Sequence, residues 1–169
     1  MPRSRRYPKR DRILSRVSLT IDSTLSHLFL VSVLVRGICD HLGMDAAPAY
    51  SLELCAVEAV TNAIKHAYRG APGHEVTLDV SFNSERLDLL VLDRGLTMPP
   101  EQIVKLSKSS SAFEFDPGCL ESIPEGGMGL QIIRHEMDEA CYSSEKGVNS
   151  LKLTKFFPAL NFHGGPLIK

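Results

Sequence analysis

The stretch "HEVTLDVSFNSERLDLLVLD", residues 74–93, limits the possible folds more than any other part of the chain. Val76, Leu78 and Val80 alternate with Thr77, Asp79 and Ser81, and a second apolar run, "RLDLLVLD", follows after only "NSE". Period-two patterning places the apolar side chains of a strand on one face. So short a link turns the two strands into an antiparallel hairpin. A sheet grown from that hairpin needs helices to cover its apolar side.

The flanking sequence supplies them. "RVSLTID" alternates and is rich in β-branched residues, which predicts a strand ending near Asp22. Ser23 or Thr24 can cap a helix over "LSHLFLVSVLVRGICDHLG", with Gly43 as its stop signal. "APAYSLELCAVEAVTNAIKHAYRG" reads as a second long helix, with Pro48 in its first turn and Gly70 at its end. "MGLQIIRHEMD" is a third helix, and "EACYSSE" and "NSLKLTKFF" form a closing hairpin around "KG". Before the third helix lies "RGLTMPPEQIVKLSKSSSAFEFDPGCLESIPEGG", with one short helix expected at "PEQIVKLSK". A connection of this length in a compact domain marks a functional loop or lid. The expected fold class is α+β: a two-layer sandwich of a mostly antiparallel sheet with helices on one face. The expected organisation is a basic, disordered extension over 1–15, one domain over 16–158 with its lid at about 96–126, and a tail over 159–169.

Composition narrows the function. With 169 residues, 43% of them hydrophobic, the chain can bury one core. Its net charge of -1 argues against nucleic acid as a partner. The N-terminal "MPRSRRYPKRDR" holds six Lys/Arg against one Asp and reads as a solvated tail, or else as a contact for nucleic acid or an acidic partner surface. "LFLVSVLV" is too short to cross a bilayer before Arg36, and no export signal is evident, so no membrane partner is expected. Cys39, Cys55, Cys119 and Cys141 lack metal-ligand spacing and read as reduced thiols of a cytoplasmic protein.

Three clusters carry chemistry. In "EAVTNAIKHAY", Glu58, Asn62 and His66 fall on one helical stripe. An Asn oxygen suits a hard cation that completes its shell with phosphate and water, and a carboxylate one turn away can serve as a general base. Taken alone, the stripe reads as a solvated face shared with Lys65 and Arg69. "LLVLDRG" ends an apolar strand on Asp93, whose carboxylate can accept a hydrogen bond from an exocyclic amine such as adenine's; Gly95 would let the ring lie close to the backbone. Taken alone, that is an Asx turn. Gly127 and Gly129 sit at the start of the third helix, where free N–H groups and the helix dipole favour phosphate. Neither a P-loop nor a dinucleotide fingerprint occurs.

The order of these clusters is more telling than any one of them. E-x-x-x-N-x-x-x-H on a helix, a strand ending D-x-G, a long lid and G-x-G opening a helix resemble the Bergerat-fold (GHKL) ATPases. Within them, "AVEAVTNAIKHAY" and "GGMGLQIIRHEMDEACY" look like the anti-sigma-factor serine kinases of the RsbW/SpoIIAB type, over roughly residues 17–157. The resemblance implies ATP and Mg²⁺ as cofactors, with Asn62 on the metal, Glu58 as catalytic base and Asp93 on the adenine amine beside Gly95. It further implies Gly127 and Gly129 around the phosphates, Gly126 as a lid hinge, and His66 near the nucleotide. Lys105 and Lys108 are lid cations within general electrostatic reach of the γ-phosphate. It also implies a STAS-domain anti-anti-sigma substrate phosphorylated on Ser or Thr, a sigma factor or similar client, and a homodimer. "DRGLTMPP" departs from the usual second box by lacking a further Gly; Thr97 and Met98 are expected to line the adenine pocket instead. The competing reading is a nucleotide-binding switch that sequesters a partner without phosphotransfer. Retention of both Glu58 and Asn62 favours the kinase.

Overall fold

A computed structural model describes residues 15–83, 85–107 and 128–157. Five strands, β1 (Ser15–Asp22), β2 (Glu75–Phe82), β3 (Arg86–Asp93), β4 (Glu139–Glu145) and β5 (Val148–Phe156), form one sheet in the order β1-β2-β3-β5-β4. Every pairing is antiparallel. The helices are α1 (Leu28–His41), α2 (Ala46–Asn62), α3 (Pro100–Ser107) and α4 (Met128–Glu136). This is the expected α+β fold. None of the described helices is long and apolar enough to cross a membrane.

Local chemistry sets the turns. Asn83 Oδ1 accepts from the backbone N–H groups of Glu85 and Arg86 at 2.8 and 2.9 Å, which closes the β2–β3 hairpin. Lys146 and Gly147 both take left-handed φ values, 52° and 76°, as a two-residue turn whose twist matches its strands requires. Gly43 ends the α1 segment in the same left-handed region, φ 64°.

Alternation along the strands separates the two faces of the sheet. In register, Leu19, Leu78, Val91 and Leu151 form one inward row, and Val80, Leu89 and Leu153 another. These pack beneath Val31 and Val35 of α1, Leu52 and Ala59 of α2, and Ile133 of α4, all buried. The outward face is polar: Arg16 pairs with Asp79, Thr154 donates to Asp88 at 2.6 Å, and the hydroxyls of Thr20 and Thr77 meet at 2.9 Å. Cys39 and Cys55 are free and buried, and burial pushes their thiols up to about 11 and about 12. They stay protonated and act as small apolar side chains.

The second long helix differs from its sequence reading. It is α-helical only to Asn62 and then widens into a π-turn over Ala63–Ala67. Tyr68 N–H donates to Ala63 O at 3.0 Å and Gly70 N–H to Ile64 O at 2.8 Å, and Arg69 and Gly70 take left-handed φ values of 54° and 74°. Helical periodicity in the sequence cannot register this widening, because it leaves the apolar pattern nearly unchanged. The basic extension up to residue 14, the tail from residue 158 and most of the expected lid, with Lys108, Cys119, Gly126 and Gly127, lie outside the described residues.

Candidate nucleotide site

A cleft of about 940 Å³ opens where β3 ends beside the π-turn, with α3, α4 and β4 around it. Asn62, His66, Asp93, Thr97 and Lys105 line it, together with Met98, Tyr142 and Arg134. Segments far apart in sequence thus converge because helix, strand end and lid base abut at one edge of the sandwich. His66 is exposed at the rim, on the π-turn rather than on the α-helical stripe of Glu58 and Asn62.

Glu58, Asn62 and Gly129 meet at one point. A methyl group on Gly129 would lie 2.3 Å from Glu58 Oε2 and 3.7 Å from Asn62 Nδ2. Gly129 therefore makes room for the Glu58 carboxylate as α4 crosses α2, a role distinct from the expected phosphate cradle. The Asn62 amide nitrogen is buried and without a hydrogen-bond partner among the described residues. A buried amide with one unsatisfied end suits a ligand in the cleft. No described cluster of three or more His, Cys, Asp or Glu could hold a metal unaided. The orphaned atom is a donor and calls for an acceptor such as a phosphate oxygen, whereas a hard cation would need the amide oxygen of Asn62 with its remaining ligands from phosphate and water.

Asp93 sits on the helix-facing side of the sheet at the end of β3, directly opposite Asn149 of β5. Its Oδ1 accepts from Asn149 Nδ2 at 2.7 Å and from Gly95 N–H at 2.9 Å. Burial raises the Asp93 carboxyl above the ordinary aspartate value, and the two donors only partly offset this. Gly95 is required for a different reason from the one its motif suggests. A Cβ there would lie 2.5–2.7 Å from the backbone and Cβ of Ala67, so this glycine seats the loop against the π-turn.

The segment after Asp93 is tied down at several points. Tyr68 Oη donates to Glu75 O and accepts from Arg94 N–H; Leu96 N–H donates to Ala67 O; Met98 N–H donates to Tyr142 Oη; all fall between 2.8 and 2.9 Å. These bonds show how "DRGLTMPP" is ordered without the usual second glycine. Asn149, Tyr68 and Tyr142 escaped sequence reasoning. The available signal was Asn149 itself, a polar residue poorly suited to strands at the start of an apolar one.

The fold is that of a known ATPase family. Residues 21–155 match the histidine kinase-like ATPase domain model, and the chain belongs to that family. It is similar to the serine-protein kinase RsbW of Bacillus velezensis, 25% identical over 154 residues that cover 90% of this chain and 92% of that protein. RsbW of Bacillus pumilus is 27% identical, over 83% of this chain and 85% of its own. Among solved structures, the SiaB–SiaC complex of Pseudomonas aeruginosa matches with a TM-score of 0.57 at 15% identity, over 88% of this chain and 92% of that chain. The RsbU and RsbW domains of a Mycobacterium tuberculosis protein match with a TM-score of 0.56 at 18% identity, over 86% of this chain and 34% of that longer one. At such identities the structures speak for the fold.

Proposed function

We propose that the protein is a Mg-ATP-dependent protein serine/threonine kinase and anti-sigma factor of a cytoplasmic partner-switching module. Its substrate is a STAS-domain anti-anti-sigma protein, its client a sigma factor or analogue, and its working form a homodimer. The observation that carries this reading is the convergence of Glu58, Asn62 and Gly129 beside a cleft lined by Asp93. One end of the cleft suits an adenine and the other a metal-bound triphosphate. The RsbW relatives support the same assignment.

In this reading Asp93 takes the adenine amine and Asn62 holds Mg²⁺, which neutralises phosphate charge. The start of α4 faces the phosphates, and the family resemblance assigns phosphate binding to Gly127 and a lid hinge to Gly126, both outside the described residues. Lys105 and Arg134 line the cleft, and Lys105 and Lys108 add positive potential. His66 flanks the nucleotide from the rim. Glu58 accepts the proton of the incoming Ser or Thr hydroxyl. The hydroxyl oxygen bonds to the γ-phosphorus, the bond to the β-phosphate oxygen breaks, and ADP leaves.

The test is phosphate transfer from Mg-ATP to a cognate STAS protein. Glu58→Ala should lower transfer at least about 100-fold, as loss of a general base does, while ATP still binds. Unchanged transfer would remove Glu58 from this role. Wild-type protein that binds ATP and a client but transfers nothing would be the binding switch without phosphotransfer.

A further inference from the structure

The Asn149 amide nitrogen lies among three acceptors. It donates to Asp93 Oδ1 at 2.7 Å and lies 3.2 Å from both Gly95 O and Leu96 O. Asn149 is buried, with 2% of its surface exposed. Three oxygens around one end of a side-chain amide settle its orientation, because an oxygen placed there would meet only repulsion. Gly95 N–H adds a second donor to the same Asp93 oxygen. Both donors thus converge on Oδ1, and no donor among the described residues reaches Oδ2. Asp93 itself lines the cleft.

We infer that Asn149 is a specificity-determining residue, which locks Asp93 so that its free oxygen reads an amino group rather than a carbonyl on the bound base. This rests on the nucleotide-site reading above and deepens it. An acceptor fixed toward the cleft pairs with the 6-amino group of a purine and repels a 6-oxo group. Asn149 touches no base. It acts through Asp93, and by holding the Gly95 and Leu96 carbonyls it keeps the cleft wall in register with that carboxylate.

The lock makes an unusual demand on Asp93→Asn. With Asn149 present, the new amide must turn its oxygen toward the Asn149 and Gly95 donors. Its nitrogen then faces the cleft, and the preference inverts toward the 6-oxo base. Removing Asn149 as well frees that amide to flip, so the inversion should weaken.

The experiment is calorimetric titration of the full chain with Mg-ATP and with Mg-ITP, whose bases differ at this edge. Wild type should bind ATP at least about 10-fold tighter than ITP, the scale of one well-made hydrogen bond to an ionised group. Asn149→Ala should cut that ratio several-fold, and Asn149→Ser, which keeps one donor, should restore part of it and stands in should the alanine variant fail to fold. Asp93→Asn should favour ITP, and the double variant should lose most of that preference. A purely structural role would weaken both nucleotides alike and leave the ratio unchanged; that result in folded Asn149→Ala or Asn149→Ser overturns the proposal. Wild type that binds neither nucleotide overturns instead the nucleotide-site reading on which it rests.

Discussion

Gly95 and Gly129 show how the same residue type does two jobs in one site. The methyl of Gly95→Ala would strike the backbone of Ala67, which cannot yield without moving the π-turn. We expect a loss of about 3 kcal/mol, at the upper end of overpacking, read by urea denaturation. The methyl of Gly129→Ala would strike only the far end of the Glu58 side chain, and helix propensity favours Ala, though at the second residue of α4 by less than the ~1 kcal/mol of a helix interior. Its stability should therefore hold or rise while phosphate transfer falls; transfer at the wild-type level would contradict this placement of Glu58. Asp93 gives a pH signature. Burial raises its carboxyl, and Asn149 and Gly95 offset this in part, so the folded protein holds that proton to higher pH than the unfolded chain. The stability tied to it is full below the unfolded value and is lost as pH rises through the folded one. Asp93→Asn escapes that loss. Without nucleotide, the Tm of Asp93→Asn relative to wild type should rise as pH climbs from below the unfolded aspartate value through the folded one and level off above it, and a difference that falls over that range would contradict the raised carboxyl.

At the scale of elements, the end of β3 depends on the π-turn. Tyr68 Oη bridges Glu75 O of β2 and Arg94 N–H just past β3. Tyr68→Phe should cost about 1–2 kcal/mol, since it strands two backbone groups in part-buried positions. A loss near zero in thermal denaturation would mean that water replaces both bonds. These elements were unequally legible in the sequence. The strands and both hairpins could be read, because alternation and turn chemistry act over a few residues: "NSE" closes on Asn83 and "KG" on two left-handed residues. The helices could be read too, but the π-turn could not, since a single extra residue in one turn hardly disturbs a hydrophobic stripe. Glu58, Asn62 and Asp93 could be singled out as candidates because the order and spacing of their clusters match a family pattern. Asn149 was not, because its meaning comes only from the β3–β5 register that sets it opposite Asp93.

Over the whole molecule, the described residues form one antiparallel sheet with an apolar side under the helices and a polar side of cross-strand pairs. The cleft lies at the edge of that apolar layer, so Asp93 continues the inward row of Leu87, Leu89 and Val91 and emerges where the covering helices end. A carboxylate in line with a hydrophobic row is costly to bury, and the Asn149 amide and Gly95 N–H offset part of that cost. The central claim is that this cleft holds Mg-ATP, with Asp93 on the base. Its most direct test is titration of Mg-ATP into wild type and Asp93→Asn, followed by calorimetry. The account predicts saturable binding at one site per chain in wild type and at least about 10-fold weaker ATP binding in the variant. A wild-type protein that takes up no ATP, or a variant that binds it equally well, would contradict it.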